Sequence, residues 1–377
     1  FSLLKQEAAE SGNVLTRTFE NAYKFLRFYL VGGLLVRFVG GLKDSIATVK
    51  ELDTSLTELN KVADLTSVQL KNITDRAYEA GSAIGRTGKE VIDATTTFKR
   101  AGYEIEQAFE LSQQALLLTN IGDGINDVTE ASSSLIAVLK GFKKEAGETS
   151  HIVDALNEVS NTYAIDTVNL TEIIKRVSGT IAQTGTSYEE LLGLATGGFE
   201  SLRNAEMVAS GLNMITQRLK GMSESGESVE GLIPKIQKAF DKYTKGAVSI
   251  IDKQNGGLHS TFEILQQLSK VYPTLSDEAR AYLNEAIAGN RQNKVLIAIM
   301  ENWKNVEAAT QSATDSLGSA TKENEKYLNS IEGRVSLFNS AVQKMWKNTI
   351  NSEAIKFVVD LGTAIVKLAD NDLARLI

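Results

Sequence analysis

The sequence predicts an all-α protein, because proline is scarce, helix-capping motifs recur and an apolar heptad pattern runs near the C-terminal end. Proline occurs 2 times in 377 residues, whereas average usage of about 5% would give roughly 19. Proline removes a helical hydrogen bond and clashes with the preceding turn, so its scarcity favours helices. We expect a multi-helix domain of short, glycine-separated helices. An apolar N-terminal helix and a long C-terminal coiled-coil-like helix should flank this domain.

Changes in composition divide the chain into three regions. We predict an apolar, glycine-containing helical arm over residues 1–50, a helical core domain over 51–305, and a long amphipathic heptad helix over 306–377. Residues 1–50 carry 7 basic and 4 acidic side chains, whereas residues 51–320 carry 25 and 36. The first residue is Phe1 rather than methionine, and we therefore expect the chain to be part of a longer protein.

Capping boxes and glycines predict where the core helices begin and end. In a capping box a hydroxyl side chain and a carboxylate or amide three residues later satisfy unpaired backbone N–H groups. Such boxes occur at residues 66–69, 87–90 and 187–190. Glycine can take the left-handed conformation after a last helical turn. The glycines expected to end helices in this way are Gly81, Gly102, Gly122, Gly141, Gly185 and Gly289.

A weak internal repeat relates residues 65–90 to residues 165–190 at an offset of 100 positions. The six identical pairs are Val68/Val168, Leu70/Leu170, Ile73/Ile173, Arg76/Arg176, Gly85/Gly185 and Glu90/Glu190. One interpretation is two copies of a helix, a glycine turn and a capped second helix, which bury their apolar faces by stacking on neighbours. The other interpretation is that any two capped helical hairpins resemble each other. The sequence leaves both open.

The most hydrophobic segment of the chain spans residues 25–42. Its longest uncharged run is nine residues, from Phe28 to Val36, whereas a membrane-spanning helix needs about 20. Paired glycines would let another helix approach closely, either inside a helical assembly or at a membrane. The residues predicted for this packing or membrane contact are Phe28, Leu30, Val31, Gly32, Gly33, Val36, Gly40 and Gly41.

An apolar seam with heptad spacing follows the core. Its positions are Leu328, Ile331, Val335, Phe338, Val342 and Met345. Spacing of alternately three and four residues is typical of the core positions of a coiled coil. A long helix with one apolar stripe needs a partner, which is either another copy of the chain or the body of the same chain. We predict that these residues form an oligomerisation seam.

The sequence offers no set of residues for catalysis, cofactor binding or metal binding. Cysteine is absent, and the two histidines, His151 and His259, are far apart. This excludes thiol nucleophiles and zinc–thiolate sites. The stretch over residues 81–89 superficially resembles a phosphate loop, but Glu90 stands where Ser or Thr should hold magnesium. We interpret it as a turn between helices. The net charge of −7 argues against a general nucleic-acid-binding protein.

Several motifs occur in an order that is typical of one family. They lie at residues 87–93, 98–102, 163–170, 185–190, 288–292, 295–303 and 316–325, and the heptad helix follows them. This order resembles the core domain of tape-measure proteins from the tails of long-tailed bacteriophages. The likeness covers about residues 45–370.

The resemblance implies a structural virion protein rather than an enzyme. Tape-measure proteins line the growing tail tube as elongated helical copies, and their length sets the tail length. They leave the tube ahead of the DNA and can help it cross the host envelope. The expected location is therefore the tail tube lumen or tail tip, and the host cell envelope after ejection. Expected partners are other copies of the chain, tail tube and tail-tip proteins and the host membrane, but no sequence-specific nucleic acid.

The length of the chain limits which part of a tape-measure protein it can be. As one helix, 377 residues would span at most about 570 Å at 1.5 Å per residue, and the many glycine turns make the chain far more compact. We expect a folded core domain attached to the length-setting segment. Alternatives from other classes are a coiled-coil adaptor, which should show heptads throughout, and a pore-forming helical protein, which should have a longer uncharged hairpin.

Overall fold

A computed structural model describes residues 51–337 and residue 340, apart from residues 224 and 255. A helical segment over residues 51–63 comes first. The helices that follow it are Ser67–Ala83 (α1), Gly88–Arg100 (α2), Ile105–Ile121 (α3), Val128–Gly141 (α4), Thr149–Thr162 (α5), Thr167–Ile181 (α6) and Tyr188–Leu202 (α7). The next helices are Ala205–Leu219 (α8), Leu232–Thr244 (α9), Thr261–Val271 (α10), Asp277–Glu301 (α11), Trp303–Thr314 (α12) and Ser319–Asn329 (α13).

Short 3₁₀ turns and one small β-ladder complete the described part of the chain. The 3₁₀ turns are Ala146–Glu148, Ala182–Thr184 and Tyr272–Thr274. The ladder is antiparallel and consists of Ile251–Asp252 (β1) and Gly257–Leu258 (β2), with Ile251 opposite Leu258. The predicted all-α class is confirmed.

The predicted helix starts are correct in their atomic detail. At Thr66, Thr87 and Ser187 the side-chain hydroxyl accepts the backbone N–H three residues later. The side chain at that later position accepts the N–H of the capping residue in return. Residues 84–87 connect α1 to α2, so the stretch 81–89 contains a turn between helices, as expected.

The predicted helix ends are correct only in part. Gly102 and Gly185 have φ values of +92° and +85° and follow the ends of their helices. Gly81 lies inside α1, where it is buried against the backbone of residues 86–87, and Gly141 is the last residue of α4. Gly122 ends α3 in an extended conformation. Gly289 has the non-helical angles φ +69° and ψ 172°, so the first helical part of α11 ends there, as predicted, and a second part follows across a kink.

Helix α7 occupies the centre of the fold. Its nine consecutive residues from Leu191 to Phe199 are all buried, and it contacts helices α5, α6, α8, α10, α11 and α12. A helix that is apolar on all sides can be stable only when other helices surround it. The hydrophobic core is therefore built around α7.

Glycines on α7 allow α12 to approach its backbone. A Cβ atom added to Gly193 would lie 2.5 Å from the carbonyl oxygen of Val306, and one added to Gly197 would overlap the Val306 side chain. Val306, Ala309 and Ala313 of α12 are buried in return. Packing across the expected boundary at residue 305 is thus the most extensive helix pairing in the described chain.

Beyond residue 305 the structure differs from the single long helix that the sequence predicts. Helix α12 ends at Thr314, and Gly318 turns the chain with φ +80° before α13 begins. A second break falls at Ser330, whose backbone is extended and whose Oγ accepts the Gly333 N–H at 3.1 Å. Residues 331–337 then form a separate helical segment. The heptad spacing did not predict these breaks, because a single residue that caps a helix does not change the spacing of the apolar residues.

The segments related by the offset of 100 positions contain matching elements. Helices α1, α2 and α3 correspond to α6, α7 and α8, and Gly85 and Gly185 both have positive φ. Arg76 Nη1 pairs with Glu106 at 2.8 Å, and Arg176 Nη1 pairs with Glu206 at 3.3 Å. The packing differs, because α2 packs mainly on α3 whereas its counterpart α7 packs mainly on α12. The correspondence is thus one of local structure.

Replacing Gly193 with alanine should destabilise the fold. The added Cβ meets a backbone oxygen that cannot rotate away, so we expect the free energy of unfolding to fall by about 1–3 kcal/mol. The control is Gly179→Ala on α6, where the described chain has no heavy atom within 4 Å of the added Cβ. That change should stabilise the helix by up to about 1 kcal/mol. Urea denaturation measures both, and equal effects would contradict the glycine-dependent packing.

Candidate interaction site: the anchor of helix α13

The side chain of Asp154, on helix α5, binds the start of helix α13. Its Oδ2 accepts the Gly318 N–H and its Oδ1 accepts the Ala320 N–H, each at 2.9 Å. Asp154 is 5% exposed. A carboxylate at a helix N-terminus satisfies N–H groups that lack partners within the helix and is stabilised by the helix dipole. The buried carboxylate of Asp154 therefore finds its hydrogen-bond donors at the N-terminus of α13.

The next turn of α5 adds hydrogen bonds to the same helix. Asn157 Nδ2 donates to Ser319 Oγ at 2.8 Å, and the Ser319 hydroxyl donates to Glu158 Oε2 at 2.7 Å. Asp154, Asn157 and Glu158 lie three and four residues apart, so they share one face of α5. One helical face thus binds the first turn of α13.

Helix α3 holds α13 one turn further along. Asn120 Nδ2 donates to Asn324 Oδ1 at 2.8 Å and to the Ile84 carbonyl oxygen at 2.7 Å. The Oδ1 of Asn120 accepts a hydrogen bond from Arg86 Nε at 2.5 Å. Asn324 is buried. Buried hydrogen bonds of this kind favour one arrangement, because breaking them leaves polar atoms without partners, although Asn157 Oδ1 is itself buried without a partner. We call Asn120, Asp154, Asn157, Glu158, Ser319 and Asn324 the anchor.

The anchor fixes the direction in which the chain leaves the core. Gly333 is buried against Tyr327 and Leu328, and the side chains of Leu328 and Leu337 lie beside Gly85. Tyr327 Oη lies 3.3 Å from Ser336 Oγ. The segment 331–337 is therefore packed back onto α13 and the α1–α2 turn.

This arrangement divides the predicted oligomerisation seam. The half-buried Leu328 packs beside Gly85 of its own chain, whereas Ile331 and Val335 are 85% and 53% exposed. Leu328 and Ile331 lie on different helices because of the break at Ser330. Phe338, Val342 and Met345 lie outside the described residues. What the structure brings to the surface is a pair of apolar side chains one helical turn apart.

All eight residues predicted for helix packing or membrane contact lie outside the described part of the chain. They are Phe28, Leu30, Val31, Gly32, Gly33, Val36, Gly40 and Gly41. Among the described helices, none has the length and apolar character needed to cross a membrane.

Burial and hydrogen bonds explain the shifted pKa values of Glu189 and Tyr188, which lie away from the anchor. His151 Nε2 lies 3.0 Å from Glu189 Oε1. Burial alone would raise the pKa of Glu189, but hydrogen bonds from its own backbone N–H, Ser187 and His151 outweigh burial and lower that pKa. Burial also raises the pKa of Tyr188 well above its usual range. In the part of the chain that the structure describes, no group of three or more acidic or histidine side chains could hold a metal ion.

Comparison with known proteins identifies the family. The profile of the family described as "Phage-related minor tail protein" matches residues 74–289, more than half of the chain. The chain belongs to this family. The matched range begins within α1 and ends at the Gly289 kink of α11. The anchored helix α13 therefore lies beyond the family match.

A curated relative extends the likeness past that range. The chain is 20% identical over 321 residues to a "Tape measure protein" of Pneumococcus phage Dp-1. The aligned residues make up 84% of this chain and 26% of that relative, so the chain spans about a quarter of the relative's length. No solved structure shows a significant match. The resemblance to tape-measure proteins that the motifs indicate is confirmed.

Sequence reasoning missed the anchor. Asp154 and Asn157 are ordinary helix positions, and their partners lie more than 160 positions along the chain. The one available signal was the pair Gly318-Ser319 ahead of a polar helix, which is typical of a helix start. It indicates where α13 begins but not which side chain caps it.

Replacing Asp154 with alanine should detach helix α13. Each backbone N–H left buried without an acceptor costs about 1–3 kcal/mol, so we expect amide hydrogen exchange in α13 to accelerate most. The control is Asp127→Ala, which removes a side-chain cap from α4 and should leave exchange in α13 unchanged. Exchange in α13 that is as slow in D154A as in the parent chain would contradict the role of the anchor.

Proposed function

We propose that this chain is the folded module of a phage tail tape-measure protein. It contributes to tail assembly and length determination from inside the tail tube, and it leaves the tail with or before the DNA. The observation that carries this proposal is the family match over residues 74–289. The relative named as a tape measure protein supports it over most of the chain.

The module does not set the tail length by its own extension. Its described helices pack around α7 instead of running end to end. At 1.5 Å per residue, length along the tube is obtained only from unbroken helix. We infer that the ruler is another part of the protein. The anchor supplies a fixed attachment from which the chain continues at α13.

The proposal assigns no catalytic step to this module. The perturbed carboxyl and phenol groups near α7 are explained by burial, hydrogen bonds and helix starts. Partners are recognised instead by packing of apolar surface. These partners are other copies of the chain, the tail tube and tail-tip proteins and, after ejection, the host membrane, to which we assign the apolar residues 25–42. Sequence-specific binding of nucleic acid is not part of the proposal.

Quantitative peptide mass spectrometry of phage particles tests this function. Peptides of the module should be present at a few copies in DNA-filled particles and depleted from particles after triggered DNA release. After infection they should be recovered in the host envelope fraction. A capsid protein serves as the retained control. Equal retention before and after release would contradict ejection and indicate a fixed tail-tip component, and absence from filled particles would contradict the virion role.

The exposed seam residues should contribute to self-association. Replacing Ile331 and Val335 with glutamate adds charge to a surface that is already solvent-exposed, so folding should be unaffected while apolar contact between copies is lost. We expect a lower weight-average mass of the full chain in sedimentation equilibrium at high concentration. Met207→Glu, at an exposed apolar position on α8, is the control. Equal masses for the parent and the double variant would contradict a seam between copies.

A further inference from the structure

The heptad seam passes through the break at Ser330 without losing its register. Alternating steps of three and four residues join Leu328, Ile331 and Val335, and the same alternation continues in the sequence to Met345. In one continuous helix, residues with this spacing lie on a single face. The structure instead divides them between α13 and the helical segment that follows it. The local sequence pattern therefore fits a straight helix, whereas the observed chain is bent.

Gly333 is the residue that permits the bend. A Cβ atom added to it would overlap the carbonyl oxygen of Tyr327 and lie 2.7 Å from Leu328 Cα. Both are backbone atoms, so no side-chain rotation can make room. In the interior of a straight helix, by contrast, glycine is less favourable than alanine because it loses more backbone entropy. Gly333 thus favours the bent form over the straight one.

Two hydrogen bonds close the bend at Ser330. Its N–H donates to the Tyr327 carbonyl oxygen at 2.9 Å, and its Oγ accepts the Gly333 N–H at 3.1 Å. A straight helix would give each of these N–H groups a carbonyl acceptor four residues earlier instead. Exchanging one hydrogen bond for another changes the free energy little. The bent and straight forms therefore differ mainly in packing of side chains.

The bent form leaves the seam incomplete. Ile331 and Val335 are 85% and 53% exposed, so the described part of their own chain does not cover them. The half-buried Leu328 packs beside Gly85 on another helix. Stable protein interfaces bury roughly 1,200–2,000 Å² in total, far more than two side chains provide. A longer apolar face is needed for pairing, and straightening the chain at the break would supply it.

We propose that the break at Ser330 is a switch that controls pairing of the chain with a second copy. In the bent form the segment 331–337 lies against its own chain. In the straight form α13 continues through this segment and presents the three seam residues Leu328, Ile331 and Val335 on one face. Coiled-coil spacing selects a second copy as the partner, because the same seam on another helix has matching knobs and holes.

This inference rests on the proposed self-association of the seam and adds its regulation. A partner that binds the straight form shifts the equilibrium toward that form by its difference in affinity for the two. Pairing and straightening are therefore coupled. Variants that favour one form should change the association constant even where they leave the seam side chains untouched.

A pair of spin labels measures straightening directly. The chain contains no cysteine, so the double variant Lys322→Cys, Arg334→Cys carries two labels at exposed positions outside the seam. In a straight helix these positions lie about 18 Å apart along the axis at 1.5 Å per residue. The folded-back segment gives a shorter distance. Electron–electron double resonance at a protein concentration below that of association reads the form of the single chain.

Two further variants shift the equilibrium in opposite directions. Gly333→Ala should lengthen the label distance and tighten association about tenfold, because alanine clashes in the bend and favours helix. Ile331→Pro should keep the distance short, since proline is accepted at a first helical position after the extended Ser330 but breaks a helix interior. Ile331→Ala is the matched control, because it removes the same side chain without breaking the helix.

Sedimentation equilibrium of the full chain gives the association constants. We expect Ile331→Pro to associate about tenfold more weakly than Ile331→Ala. Equal association of these two variants would overturn the switch, and so would a Gly333→Ala distance that is no longer than the parent's or is broadened by unfolding. Equal masses for the parent and the Ile331→Glu, Val335→Glu variant would instead contradict the seam itself, and the label distances would still show whether the chain straightens at Ser330.

Discussion

The close approach of α12 to α7 is the contact on which the rest of the fold depends. Gly193 and Gly197 remove side chains from the face of α7 where the backbone of Val306 lies. A helix with nine consecutive buried residues needs neighbours on every side, and α12 covers the face that the helices of the repeat leave open. Helix α12 follows the family-matched range of residues 74–289. The buried face of α7, which lies within that range, is therefore covered by residues outside it.

The anchor fixes the position of helix α13 on this core. Helix α13 is polar, so its position depends on hydrogen bonds more than on apolar burial. Asp154 binds two N–H groups at the start of α13, and Asn120 binds Asn324 one turn later. Such contacts give α13 a defined direction, because hydrogen bonds fix orientation whereas apolar burial is non-directional.

The two repeat copies show that similar local structure can be packed in different ways. Capping boxes, positive-φ glycines and arginine–glutamate pairs recur at an offset of 100 positions. These exposed ion pairs contribute little stability, so they mark the correspondence and do not cause it. The two copies differ in the central position of α7. Its counterpart α2 has Asp93 and Thr97 where α7 has the packing residues Gly193 and Gly197.

The sequence by itself determined the helical class and the helix starts, because proline scarcity and capping boxes act within a few residues of the chain. It also indicated the family, through the order of short motifs. It did not locate Gly193 and Gly197, which allow the close packing on α7, or the capping partner of α13. Only the tertiary structure decided these features and split the seam at Ser330. The packing of α7 on α12 and the cap of α13 depend on contacts between residues more than 100 positions apart, and no local pattern encodes which distant surface a helix will meet.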